Sequence, residues 1–421
     1  KQPAKMAGKH PALRVFLGHL QPTRRSKVSK KENYRPRTRL VHEGQNRSSF
    51  GETSEALYLT SGFVYDSAEQ AEARFREEDD GYIYSRFGNP TIRMFEERMM
   101  ALEGAEDARA TATGMAAVTA AMLSLLQAGD HVVAARALFG SCRYIVETLL
   151  PRYGIETTLV DGRDTDAWEK AMRPTTKVMF LETPSNPVLE VIDMQAVADI
   201  AHAHGARLVV DNVFATPILQ RPLDFGADIV VYSATKHIDG QGRCLGGIIL
   251  GNEAYVRDEL ANFMRQTGPA LAPFNAWVLL KSLETLPVRV DAHCDNAEKL
   301  VDFLNAHDKV GRLIYPGDKT HPQYDLASRQ MTRGGNLIAF DVGADKADAF
   351  HLANNLHIAA ISNNLGDAKT LITHPATTTH FRLDDAAKAK LGIRPNSLRV
   401  SIGLEDPADL VEDFKRALDS I

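Results

Sequence analysis

The densest chemistry in the 421-residue chain lies in Ile229-Val230-Val231-Tyr232-Ser233-Ala234-Thr235-Lys236. Four apolar residues read as a buried strand, small hydroxyl residues close it, and a lysine follows, ahead of Gly240, Gly242, Gly246 and Gly247. A lysine delivered from the end of a core strand is partly desolvated. Desolvation disfavours the ammonium form and makes the amine a nucleophile for carbonyl carbons. Thr113-Gly114-Met115 opens an alanine-rich apolar stretch that reads as a helix. The free N–H groups of such a helix start, at the positive end of its dipole, suit a phosphate. Ser233 and Thr235 add hydroxyl donors of the right kind. Each signal has a plainer reading by itself: a cap, a turn, a surface lysine. Neither GxxxxGK[ST] nor GxGxxG occurs, so the common nucleotide-phosphate loops are absent.

The elements that must position these residues alternate. Strands are expected at Ala108–Thr113, His131–Ala135, Glu156–Val160, Lys177–Glu182, Leu208–Asp211, Ile229–Ser233 and Gly247–Leu250. Helices are expected at Pro90–Glu103, ending at Gly104, and at Gly114–Leu126, Ser141–Tyr153 and Met194–Ala203. Strands alternating with helices predict a mostly parallel sheet covered on both faces. Open parallel sheets bind ligands beyond the carboxyl ends of their strands. Five loops should therefore face one cleft. They carry Gly114 and Met115; Phe139 and Ser141; Asn186; Asp211; and Ser233, Thr235 and Lys236. A phosphate cradle, a carbonyl-seeking lysine and a carboxylate able to pair with a ring nitrogen together point to pyridoxal phosphate.

The totals bound the remainder. A chain of this length exceeds one core, and after about Leu286 longer helices and fewer strands predict a second, α+β lobe. No apolar run reaches the roughly 18 residues of a membrane span. Cys142, Cys244 and Cys294 lack metal or disulfide spacing, which suits a reducing compartment and predicts no metal site. Residues 1–40 hold twelve Lys or Arg against one acid, Glu32, although the whole chain is at −5. Three readings compete for this segment: a solvated tail, a transit peptide, and an RNA- or anion-binding arm.

From about Thr38 onward the chain resembles the cysteine and methionine metabolism family of pyridoxal-phosphate enzymes. The resemblance rests on Ser233-Ala234-Thr235-Lys236, Asp211-Asn212, Pro184-Ser185-Asn186-Pro187, Tyr84-Ser85-Arg86 and Leu398-Arg399-Val400-Ser401-Ile402-Gly403-Leu404-Glu405. It implies an aspartate-aminotransferase-like, fold type I α/β architecture with a smaller α+β C-terminal domain. The implied divisions are a basic tail 1–37, an arm 38–88 reaching the neighbouring subunit, a cofactor domain 89–286 and a C-terminal domain 287–421. Lys236 would hold the cofactor covalently, and Asp211 would keep its ring nitrogen protonated. Asn186 would meet its phenolic oxygen. Gly114, Met115, Ser233 and Thr235 would bind its phosphate. Tyr84 and Arg86 would reach that phosphate from a second subunit, in a homotetramer built of active-site-sharing dimers. Arg399 would clamp a substrate α-carboxylate in its planar fork.

Three departures from the family pattern carry information. Phe139 stands where many members have Tyr; it can stack on the ring but cannot carry a proton. Asn364 stands where many have Ser and would offer an amide N–H to the carboxylate. Ser141 stands where the methionine-degrading lyases have Cys, with Cys142 one residue off. Together with His237-Ile238-Asp239-Gly240-Gln241-Gly242-Arg243, Ile361–Asp367 and Thr373–His380, these features resemble the bacterial O-succinylhomoserine sulfhydrylase branch. The implied reaction is γ-replacement of succinate by sulfide, in the cytoplasm, on small molecules and without a nucleic-acid partner. Cystathionine γ-synthase and O-acetylhomoserine sulfhydrylase activities are the alternatives within the family; a lyase and a non-catalytic binding protein are the others. Arg243 is either a contact for the distal succinyl carboxylate or a loop arginine paired with a structural acid.

Overall fold

The computed structural model describes residues 34–421. Two sheets organise them. The larger has seven strands: β1 (Asp107–Thr111), β2 (His131–Ala135), β3 (Glu156–Val160), β4 (Thr176–Glu182), β5 (Arg207–Asp211), β6 (Ile229–Ser233) and β7 (Gly247–Gly251). Their spatial order is β1-β7-β6-β5-β4-β2-β3. Strands β3, β2, β4, β5 and β6 are parallel neighbours, whereas β7 runs antiparallel to both β6 and β1. β1 is therefore parallel to β6. The carboxyl ends of β1, β2, β4, β5 and β6, with the five loops singled out from the sequence, all open at one edge.

Alternation along the strands builds two cores from the same strands. Val133, Met179, Leu181, Leu208, Val210, Val230 and Tyr232 face one core. Val132, Val178, Phe180, Val209, Ile229 and Val231 face the other. A strand buried on both faces must be apolar at every position, which is why these segments read as continuous runs and not as alternating ones.

The second sheet comprises β8 (Val310–Ile314), β9 (Leu337–Val342), β10 (Ala360–Ile361), β11 (Leu371–Thr373) and β12 (Ser397–Ser401), in the order β10-β11-β12-β9-β8. Its core is closed by the helices Leu286–Ala306 and Pro407–Asp419.

Most elements fall where the sequence places them. The helix Pro90–Glu103 ends on Gly104, whose φ of 84° is left-handed. The segment expected as one helix from Ser141 to Tyr153 runs from Gly140 to Arg152, with a π-helical middle at Ile145–Leu149. The helix from Gly114 stops at Leu123, three residues early. Of the basic segment, residues 1–33 lie outside the described residues, and a short helix opens at Pro36, inside the stretch 1–37 drawn as a tail. Residues 43–67 are without helix or strand, and the arm exposes Phe50, Leu59, Val64 and Phe75. Among the described residues no helix is long and apolar enough to cross a membrane, and no His/Cys/Asp/Glu group could hold a metal.

Candidate active site

Lys236 sits one turn past β6. Ala234 N donates to Gly246 O at 2.9 Å, and Gly240 N donates to Lys236 O at 2.8 Å. From the long helix Leu286–Ala306, buried Arg289 donates to His237 O (2.7 Å) and Ile238 O (3.3 Å). Gly240 passes beneath that guanidinium at φ +70°, where a Cβ would lie 1.9 Å from Arg289 Nη1. The glycines after Lys236 thus let the loop close on Arg289 and hold the lysine backbone still. The Lys236 amine donates to Asn364 Oδ1 at 2.5 Å. Burial, then the charge of Arg399, lowers its pKa to about 8.

Beside it lies the start of the helix Gly114–Leu123. Thr113 caps it, its hydroxyl accepting from Ala116 N at 3.0 Å. A Cβ on Gly114 would lie 2.5 Å from Ser233 Cβ. Only glycine brings this N-terminus so close to Ser233. Thr235 Oγ1 is tied to Gly246, accepting from its N–H at 3.2 Å. Met115 follows Gly114 and packs half-buried on the core beneath. The result is a compact cradle of N–H groups and hydroxyls next to the lysine, which fits a phosphate attached to an aldehyde.

At the ring side, Asp211 and Glu182 are paired across β5 and β4. Asp211 Oδ1 accepts from Val213 N at 3.1 Å. Glu182 Oε2 accepts from Phe139 N (2.7 Å) and Oε1 from Asn186 N (2.8 Å). Burial raises the pKa of both carboxyls, and for Glu182 the neighbouring Asp211 adds to the rise. A cationic ring nitrogen beside Asp211 would offset that cost. Cys142, the thiol one position from Ser141, is buried in the core, where desolvation and these two carboxylates push its pKa well up. It is an inert thiol.

Arg399 comes from β12 and is buried. It donates to Asn186 Oδ1 (2.8 Å), Asn363 O (3.0 Å) and Asn364 O (3.2 Å). Its Nε is buried with no hydrogen-bond partner among the described residues. Such a donor is costly unless a ligand accepts from it. Burial lowers its pKa to about 10, so the fork stays charged at neutral pH.

Ten of the twelve site residues named from the sequence thus gather at one edge of the large sheet: Lys236, Asp211, Gly114, Met115, Phe139, Asn186, Ser233, Thr235, Arg399 and Asn364. Asn364 turns its side-chain oxygen to Lys236, whereas its amide was expected on a carboxylate. Tyr84 and Arg86 make no contact with this cluster. Arg86 Nη1 donates to Arg265 O, and its guanidinium lies 4.8 Å from the Phe87 ring centroid. Arg243 is bound to its own loop, with Nε on Asp239 Oδ1 at 3.0 Å and Nη2 on Ser282 Oγ. Sequence reasoning missed Glu182 and Asn363. The signal for Glu182 was present: it is the sole acid of β4 and ends that strand as Asp211 ends β5.

A desolvated lysine, a cradle of N–H groups and hydroxyls, and a buried pair of carboxyls at the strand ends fit a pyridoxal-phosphate-dependent enzyme of fold type I. Comparison with known proteins narrows the class. The family described as Cys/Met metabolism PLP-dependent enzyme matches residues 37–419, and the chain belongs to it. The O-succinylhomoserine sulfhydrylase of Mycobacterium tuberculosis is 52% identical over 382 residues, 90% of this chain and 94% of that protein. The L-methionine gamma-lyase of Porphyromonas gingivalis is 42% identical over 91% of this chain and 97% of that protein. A solved structure of a putative O-acetylhomoserine (thiol)-lyase from Campylobacter jejuni, containing N'-pyridoxyl-lysine-5'-monophosphate, is 31% identical. It superposes with a TM-score of 0.88 over 92% of this chain and all of that one.

Proposed function

We propose that the protein exchanges the γ-succinyl group of O-succinylhomoserine for sulfide, giving homocysteine and succinate. The sulfhydrylase relative at 52% identity carries this reading. Ser141 in place of a reactive cysteine, with Cys142 buried beside it, weighs against the lyase activity of the more distant relative.

Bound pyridoxal phosphate supplies an electron-withdrawing ring that stabilises negative charge at the substrate Cα. Lys236 holds it covalently, and Asp211 pairs with its ring nitrogen. Phe139 stacks on the ring and Asn186 meets its phenolic oxygen. Gly114, Met115, Ser233 and Thr235 bind its phosphate, with Tyr84 and Arg86 of a second copy. The Arg399 fork, with its open Nε, receives the substrate α-carboxylate. Lys236 Nζ would take the substrate Cα proton and return it at the end. Its pKa of about 8 leaves a useful fraction neutral at physiological pH. The Asn364 oxygen holds that amine in place. Phe139 has no hydroxyl, so the acid–base work rests on Lys236. Lys236 would also take and return a Cβ proton: the Cβ–H electron pair expels succinate from Cγ with its oxygen, and hydrosulfide then bonds to Cγ as the proton returns to Cβ.

On this reading residues 89–286 and 287–421 are the two domains, 38–88 is the arm, and the enzyme is a cytoplasmic homotetramer. Incubating the purified protein with O-succinyl- or O-acetylhomoserine and sulfide, cysteine or no nucleophile tests it. Homocysteine from the succinyl ester and sulfide should predominate. Cystathionine as the main product, or a 2-oxo acid formed without a nucleophile, would overturn it.

A further inference from the structure

We propose that Glu182 is a positioning residue for the cofactor ring, its carboxylate stapling together the two loops that carry Phe139 and Asn186 beside Asp211. β4 and β5 are parallel and in register, with Glu182 opposite Asp211. Both side chains therefore project from the same face of the sheet into the same site. Glu182 is buried, at 3% exposure. One of its oxygens accepts from Phe139 N, in the loop after β2, and the other from Asn186 N, in the loop after β4. Those two residues are the ones that meet the ring's face and its phenolic oxygen. Asn186 in turn accepts from Arg399 through Oδ1, so the staple extends to the substrate-carboxylate fork.

The cost of this arrangement argues for a role. Two carboxylates side by side in a buried site repel each other and lose hydration. Holding a loop needs one hydrogen bond, which a neutral side chain provides. Holding two separate loops through two N–H donors at one point needs two acceptor atoms, and only a carboxylate supplies both without a competing donor. The two backbone N–H bonds favour the ionised carboxyl and oppose the rise that burial and Asp211 impose. Loops are the least constrained parts of the chain, and Phe139 and Asn186 both lie on loops. Without the staple, the β2 and β4 loops would lose the tie that keeps a flat ring in one orientation over Asp211.

The proposal rests on pyridoxal phosphate being the bound cofactor and not on the succinyl and sulfide assignment. Its failure would leave that assignment standing. Glu182→Gln keeps size and one acceptor while placing an NH₂ against one backbone N–H. The experiment measures pyridoxal phosphate binding to the cofactor-free protein by equilibrium titration, and the visible circular dichroism of the bound cofactor, which reports ring orientation. The expected result is cofactor affinity lowered about tenfold or more, the size of one lost charge-assisted bond, with a reduced visible signal and unchanged far-ultraviolet dichroism. In a double-mutant cycle with Phe139→Leu the two losses should be less than additive, because either change releases the same ring contact. If Glu182→Gln does not fold, Glu182→Asp is read in its place. It keeps the charge but is one methylene too short to span both loops, and should still weaken binding and alter the visible signal. Wild-type affinity and visible signal in the folded variant, or fully additive losses with Phe139→Leu, would overturn the proposal.

Discussion

The strand-end cluster and the arm of residues 38–88 are built to different rules. Lys236, Asp211, Glu182 and Arg399 stand on or beside strands; Lys236, Glu182 and Arg399 are held by bonds from other segments, through Asn364, the Phe139 N–H and Asn186, and Asp211 by the Val213 N–H of its own turn. The arm has little regular structure and shows Phe50 and Val64 to solvent at 95% and 92% exposure. Its Arg86 rests on Arg265 and Phe87, away from the cluster. On the proposed function, a second copy covers these exposed apolar side chains. The contrast teaches that, if the proposed function holds, the chain assembles the covalent and acid–base half of its site alone. The arm, on the proposed function, completes the phosphate half in a second copy.

The largest effect should come from the half that is complete. Lys236→Ala removes the covalent anchor and the proton carrier, and kcat should fall at least about 10²–10⁴-fold, the range for losing acid–base help alone. A variant retaining most of its turnover would remove Lys236 from the chemistry. Next comes Arg399→Ala. Truncating one partner of a buried, charge-assisted contact costs about 2–5 kcal/mol, so kcat/KM for the homoserine ester should drop by about 30-fold or more. Steady-state kinetics check this, and an unchanged kcat/KM would dissociate the fork from the carboxylate.

A pH profile sharpens the account of the lysine. Its folded pKa is depressed, to about 8, so the neutral nucleophilic amine is lost as pH falls below that value. Recombination of cofactor-free protein with pyridoxal phosphate should slow about tenfold per pH unit below the midpoint and level off above it. A profile still rising steeply through pH 10 would mean an ordinary solvated lysine. The smallest effect on catalysis belongs to Arg243. It is part-exposed and spent on buried Asp239 and on Ser282. Arg243→Ala should cost about 1 kcal/mol of stability, discounted for its solvent exposure. It should change KM equally for succinyl and acetyl esters. A selective rise for the succinyl ester would restore its reading as a distal-carboxylate contact.

What the sequence made legible follows from burial. Strands β2 and β6 fall at the expected residues because apolar runs have one way to be buried, the β-branched edge strand β3 falls there too, and Gly104 stops its helix through a left-handed turn. The strand ends were legible for the same reason, and with them Lys236 and Asp211. Register was not. The place of Glu182 at the end of β4 was legible, but that it lies opposite Asp211 depends on how two distant strands pair. Side-chain direction was not legible either. Asn364 was expected to offer its amide to a carboxylate, but the segment leading into β11 turns its oxygen onto Lys236. The π-helical turn at Ile145–Leu149 leaves no mark in a helical periodicity.

Subunit hybrids decide whether the two halves of the site come from different chains. Lys236→Ala lacks the strand-end half and Arg86→Glu lacks the arm half, so each protein alone should be nearly inactive. Co-expressed in equal amounts and purified together, without separating mixed from unmixed pairs, they should regain about a quarter of wild-type activity, the share that random pairing into two-fold dimers dictates. One site of each mixed pair then joins an intact Lys236 to an intact Arg86. Mixed assemblies as inactive as either parent would place both halves within one chain and contradict the shared site.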